Sequence, residues 1–176
     1  MRKTIALFVC IMATTYAAVA QKGNNQIGIG AELGLPVGQF DNDFNTGYGG
    51  YVKGLFGIGN SGQITFTTGY SHHNAKGILG FYHASSSIIP FLAGYRIGKS
   101  GFYAEPQIGY GLYHAKISGT SEDASETDGA FTYAIGAGYT IKGIEAGVRY
   151  QGGKRGSDDI TVFAFHLGYN LSFRHK

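Results

Sequence analysis

Along most of this chain, hydrophobic residues recur at every second position. A period of two marks a strand with one apolar face. Gln26–Leu35 puts Ile27, Ile29, Ala31, Leu33 and Leu35 on one side, and Gly47–Ile58 does the same with Tyr48, Val52, Phe56 and Ile58. The pattern returns in Gln63–Ser71, Ser87–Gly98, Phe102–Lys116, Gly129–Ile141, Ile144–Gln151 and Thr161–Phe173. Eight strands are therefore predicted, and no segment after Gln21 shows a helical period. The connections alternate in length. Gly59–Gly62, Lys99–Gly101 and Lys142–Gly143 have the composition of tight turns. Between them lie longer polar stretches at Pro36–Thr46, His72–Ser86, Ile117–Asp128 and Gly152–Ile160. This is the signature of an up-and-down meander with one compact end and one elaborate end.

The second face of each strand decides the class of barrel. It reads Gly28, Gly30, Glu32 and Gly34 in the first strand, Tyr51, Lys53 and Leu55 in the second, and Thr65 and Thr67 in the third. Later strands add Arg96, then Glu105 and Gln107, then Thr132 and Ala134, then Glu145 and Arg149, then His166 and Asn170. A water-facing surface would carry many more Lys and Glu. Small residues with a few charges suit a narrow interior, so the apolar face must point outward. The mid-strand charges balance, with Glu32, Glu105 and Glu145 against Lys53, Arg96 and Arg149. Buried charges persist only when paired and hydrogen-bonded. Together with His166 these residues are expected to form an interior charge network that fills the bore, because eight strands enclose just enough room for side chains. The fold expected is an all-β, eight-stranded antiparallel transmembrane barrel. Its first and last strands must pair, since hydrocarbon tolerates no open sheet edge.

Composition supports this reading. Of 176 residues, 43% are hydrophobic and only 14% charged, against about 25% charged in soluble domains. Thirty glycines with only three prolines exclude collagen. Met1–Arg2–Lys3, the apolar stretch Thr4–Val19 and the small-residue site Ala18–Val19–Ala20 have the three parts of a secretory signal. Residues 1–20 are expected to be a cleaved signal peptide and residues 21–176 the barrel. The single cysteine, Cys10, leaves with the signal, so the mature chain has no disulfide. Loss of Arg2 and Lys3 brings the net charge of +3 close to neutral, and no basic block suggests nucleic acid.

On these features the chain resembles the small eight-stranded bacterial outer-membrane β-barrel family, the outer membrane protein beta-barrel domain. The resemblance spans almost all of residues 26–173 and includes the aromatic last strand VFAFHLGYNLSF. The family typically ends on Phe, whereas here Phe173 is followed by Arg174–His175–Lys176. The resemblance implies residence in the bacterial outer membrane, insertion by the barrel-assembly machinery, and a monomer with its bilayer as chief partner. It leaves activity open, because such barrels host adhesins, structural proteins, narrow pores and lipid-modifying enzymes.

Candidate chemistry is sparse. Gly57–Ile58–Gly59–Asn60–Ser61–Gly62 matches G-x-G-x-x-G, but a strand follows where a dinucleotide site needs a helix. His72, His73, His83 and His114 lie on the long-loop side with Glu122, Asp123, Glu126 and Asp128. Imidazole and carboxylate can ligate a divalent metal, yet no ligand spacing is present, and solvated loop residues explain them as well. His83–Ala84–Ser85 resembles the H-x-S of outer-membrane lipid A deacylases, but Ser86 stands where that motif has Asn, and no orienting acid can be assigned. No catalytic, cofactor or metal centre is therefore expected. The function expected is a structural or surface-interaction role carried by extracellular loops, with a loop-bound extracellular ligand. The alternatives are a narrow porin-like channel, a lipid-modifying hydrolase and a soluble ligand-binding barrel.

Overall fold

At one end of the molecule the chain reverses in two residues. Ser100 and Gly101 have φ of 54° and 89°, and Lys142 and Gly143 have 50° and 89°. Two successive residues with positive φ make a type I′ turn, whose twist matches that of the flanking strands. Glycine takes the second place in each because it adopts this conformation without steric cost. These turns set the register of the strands on either side.

The computed structural model describes residues 25–58, 62–76, 83–118, 124–155 and 158–173. The elements are β1 (Gln26–Val37), α1 (Gln39–Asp43), β2 (Gly47–Ile58), β3 (Gly62–Asn74), β4 (His83–Lys99), β5 (Phe102–Ser118), β6 (Ala124–Ile141), β7 (Ile144–Arg155) and β8 (Asp158–Ser172). Each strand pairs antiparallel with the next, and β1 pairs with β8 from Gln26–Ser172 to Val37–Thr161, closing the barrel. The fold is thus the all-β, eight-stranded up-and-down barrel that the alternation predicts. The expected signal peptide, residues 1–20, lies outside the described residues, as do the centre of the Gly57–Gly62 turn, Tyr82, Glu122, Asp123 and the last three residues.

The faces fall as the period-two pattern requires. Ile29, Leu33, Phe66, Phe91, Ile108, Phe131, Ile135 and Leu167 are all exposed on the outer surface. In water a belt of this size would drive association; in a bilayer it meets hydrocarbon. Tyr95, Tyr139 and Tyr169 with Phe102 lie near the tight-turn end of that surface, and Tyr48 and Tyr70 near the other. Tyrosine suits both boundaries, its ring in the apolar layer and its hydroxyl in the wet one.

Two features depart from the expectation. The chain contains a one-turn helix, α1, inside the stretch predicted as a polar loop, and its Phe40 is buried. The strands also run further than their hydrophobic pattern. β4 starts at His83 instead of Ser87, β6 at Ala124 instead of Gly129, β7 reaches Arg155 and β8 starts at Asp158. A strand needs about 9–11 residues to cross a bilayer, whereas β4, β5 and β6 have 17, 17 and 18. The excess lies at the long-loop end. There the outward positions are polar, Ser85, His114, Lys116, Ser125 and Thr127 among them, so the apolar alternation fades although the backbone ladder continues.

Candidate functional site

The interior is the first place to look for function, because the outer surface is committed to lipid. Its lower part, toward the tight turns, is polar. Lys53 comes from β2, Arg96 from β4, Glu105 from β5 and Glu145 from β7. Arg96 lies 2.7 Å from both Glu105 and Glu145, and Lys53 Nζ lies 3.1 Å from Glu105 and 3.4 Å from Glu145. Two cations and two anions thus form a closed set in which each charge touches both opposite charges. All four side chains are buried. Carboxylate oxygens left over are also engaged. Thr65 donates to Glu105 at 2.8 Å, Gln107 donates to it at 2.8 Å, and Asn170 and Tyr103 donate to Glu145 at 2.8 and 3.0 Å. Such complete satisfaction is what lets buried charges persist. The Arg96 guanidinium also lies over the Tyr103 ring at 3.7 Å, a favourable cation–π placement.

A second, separate pair stands higher in the bore, where Arg149 donates to Glu32 at 2.6 Å. His166 links the levels. Its Nε2 is 2.8 Å from the Tyr103 hydroxyl and 3.5 Å from Glu145, and its ring stands edge-on to Tyr51. All seven residues singled out for the interior therefore face the lumen. The glycines among them supply space. A Cβ on Gly147 would lie 2.7 Å from the Tyr103 hydroxyl and 2.8 Å from His166, so the small residues of the inner face are the room in which the large ones pack.

Little free volume remains. A cavity of about 10 Å³ lies between Tyr51, Lys53, Tyr103, Gln107, Arg149 and His166, space for about one water molecule. A recess of about 210 Å³, lined by Gln63, Lys99, Phe102 and Thr140, opens at the tight-turn mouth and ends on Arg96 and Tyr103.

The upper part of the bore is closed differently. Phe40, Ile88, Tyr113, Ala130, Ile160 and Val162 form a buried apolar cluster, with Phe44 packed against it. Tyr113 shares a 2.8 Å hydrogen bond with Thr132. His73, fully buried, sits beneath Phe40 with ring centroids 5.4 Å apart. The sequence pattern did not reveal this plug. Phe40 falls in a loop by composition, and Ile88 and Ile160 sit where a strand's apolar face is ambiguous.

The loop-end histidines do not converge. His72 and His73 are adjacent in β3, so they point to opposite faces. His72 faces outward, 3.1 Å from Ser87, while His73 faces inward, and His114 bonds Thr127 at 2.7 Å. Among the described residues no group of three His, Cys, Asp or Glu side chains comes together as a metal shell. Ser85 and Ser86 continue β4, and the side chain of His83, like Tyr82, is outside the described set.

A closed barrel with an apolar exterior, tyrosines toward both ends and a filled polar lumen defines a class, the small transmembrane β-barrels. More specifically, the chain belongs to the family described as outer membrane protein beta-barrel domain, which it matches over residues 4–173, and it is a protein of the bacterial outer membrane. No curated protein matches its sequence. Solved structures share its fold. The attachment invasion locus protein Ail of Yersinia pestis superimposes with a TM-score of 0.65 at 14% identity, covering 86% of this chain and 100% of that one. Ail has also been solved with the heparin analogue sucrose octasulfate, with a TM-score of 0.67. The N-terminal β-barrel domain of Pseudomonas aeruginosa OprF gives 0.53 at 16% identity, covering 85% and 99%. The Neisserial surface protein NspA gives 0.55 at 12%, covering 85% and 97%. In outer-membrane barrels the short turns generally face the periplasm and the longer loops the outside.

Proposed function

We propose that this protein is a closed outer-membrane anchor whose specific contacts are made by its extracellular end. The observation that carries the reading is the pairing of Lys53 and Arg96 with Glu105 and Glu145 across the bore, at 2.7–3.4 Å. Four fully paired charges leave none to attract a permeant ion, and the cavity above them holds about one water. The interior charge network of Glu32, Lys53, Arg96, Glu105, Glu145, Arg149 and His166 thus serves as a plug that holds the strands together. It supports an anchor and gives no foothold for catalysis.

The surface offered outward is the upper part of β4, β5 and β6. Pairing continues to His83–Ser118 between β4 and β5 and to Ile117–Ala124 between β5 and β6, whereas β6 and β7 pair only up to Thr132–Gly153. The paired ends of β4, β5 and β6 therefore rise above the β7 side of the rim, while β3 follows β4 as far as Asn74–Ser85. Ser85, His114, Lys116, Ser125 and Thr127 lie on their outward positions. The Ail complex with a heparin analogue makes an extracellular ligand a reasonable partner class. The chain acts as a monomer, inserted by the barrel-assembly machinery after loss of residues 1–20.

Conductance across a planar bilayer tests the reading. The unmodified protein is expected to give no steady channel, and Glu105→Gln with Glu145→Gln is expected to give intermittent current. A stable open channel in the unmodified protein would replace the anchor with the narrow-pore alternative.

A further inference from the structure

We propose that α1 is an acid-released lid on the outer mouth of the barrel, with His73 as its trigger. The segment after β1 turns at Gly38, whose φ of 66° only glycine adopts freely. It then lays α1 across the opening. Phe40 reaches down into the bore and is buried, with Phe44 stacked beside it at 4.6 Å. The ties that hold the lid from outside run to residues 74–76, among them a bridge between Phe44 and Ala75, a 3.4 Å bond from the Asn45 side-chain amide to the Ala75 carbonyl and a 2.5 Å bond from Lys76 Nζ to the Asp41 carbonyl. Lys76 bridges to Asp41 at 2.7 Å, its backbone N–H donates to the Asp43 carbonyl at 2.7 Å, and Asn45 N–H donates to the Asn74 carbonyl at 2.8 Å. The Lys76–Asp41 pair is open to solvent, so it contributes little.

His73 lies directly under this lid. At the neighbouring outward position His72 bonds Ser87 and pairs in register with Tyr48, one of the tyrosines of the outer boundary, so His73 stands at the level of that boundary. The Nδ1 of His73 is 3.3 Å from the Asn45 carbonyl. A carbonyl only accepts, so Nδ1 carries the proton and Nε2 is a bare lone pair. That Nε2 is buried and has no partner. Around the ring stand Phe40 from α1, Gly34 from β1 and Gly47 from β2. The ionisable groups that act on it are Glu32 from β1 and His72 from its own strand. Glu32 is already taken by Arg149 at 2.6 Å, and Asp41 and Asp43 of α1 point into solvent. An enclosure that offers no acceptor for a second N–H suits the neutral ring.

Protonation would place a charge and a new N–H donor in an enclosure with no acceptor for it. The least costly relief is for the lid to lift about Gly38 and admit water. Lifting exposes Phe40, Phe44, Ile88 and Ile160, so acid converts the outer rim from a polar to an apolar contact surface. The charge plug lower in the bore is untouched, so release of the lid opens no channel.

The test uses the full mature chain in lipid nanodiscs. The chain has no tryptophan, so Phe40→Trp installs a single reporter. On acidification from about pH 8 to about pH 4, which reaches below the range in which an exposed histidine titrates, its emission is expected to shift red, reversibly. Adding His73→Gln should abolish the shift, and adding His72→Gln should leave it. Emission that does not move, or that moves equally with His73→Gln, would overturn the proposal. Nuclear magnetic resonance of the unmodified chain gives an independent reading that needs no substitution. The His73 ring nitrogens and the Phe40 ring protons should titrate with one midpoint, and a Phe40 signal indifferent to His73 titration would equally overturn it.

Discussion

Toward the tight-turn end the barrel is closed by Lys53, Arg96, Glu105 and Glu145, joined at 2.7–3.4 Å. Toward the outer end it is closed by Phe40, Ile88, Tyr113, Ile160 and Val162. Both halves exclude water, but they fail in different ways. A charge in the lower half is tolerable only while its partners stay within hydrogen-bond reach, so those residues stand or fall together. Apolar contacts have no direction, so the upper half can settle after a loss, and a loop segment can serve as part of it. One half is rigid and the other is removable, which fits a fixed plug below and a movable lid above.

The strongest way to break this contrast is to remove one member of the lower set. Glu145→Ala leaves Arg96 and Lys53 buried without half their partners, and should cost about 3–5 kcal/mol, read as the urea midpoint of the heat-modifiable band on gels. Loss of much less would mean that water enters the bore and screens the charges. In the upper half, Ile88→Ala removes a fully buried side chain. Such truncations cost roughly 2–5 kcal/mol, and the value here should fall near the bottom of that range because α1 can close over the gap. A cost equal to that of Glu145→Ala would erase the distinction between the halves.

Smaller effects sharpen the comparison. Thr132→Val deletes the hydrogen bond to Tyr113 but keeps the shape, and should cost about 1 kcal/mol. In a double-mutant cycle with Tyr113→Phe, the two losses should combine to less than their sum. Lys76→Ala removes the two solvent-exposed bonds of its Nζ to the Asp41 carboxylate and carbonyl, so unfolding should change by less than about 1 kcal/mol. Protease cleavage within the α1 segment should nevertheless quicken, because the lid loses these ties while the barrel loses nothing.

Much of this architecture was legible in the chain. Alternation in segments such as Phe131–Ile141 assigned every residue to a face, because successive side chains of a strand must point opposite ways. The small and charged character of the second face, Gly28, Lys53, Glu105 and Arg149 among them, gave the inside. The tight turns at Ser100–Gly101 and Lys142–Gly143 were visible as Gly-rich breaks. The upper extensions of β4 to β6 were not, since a strand whose outward residues are polar carries no apolar stripe to read. The plug was hidden for another reason. Phe40 is a single aromatic in a polar loop, and nothing local says that α1 folds back over the bore. His73 looked like its neighbour His72, and only its position in the strand separates the buried ring from the exposed one.

The sequence by itself determined the number of strands, which face meets lipid and which charged residues line the lower bore, because each of these follows from local periodicity and residue chemistry. Only the tertiary structure decided which charges pair, how the mouth is closed and which histidine is sealed beneath it. Those contacts join residues such as Glu32 and Arg149, or Lys53 and Glu145, that are distant in the chain. Their distances are set by the closure and register of the whole barrel, which no single segment encodes.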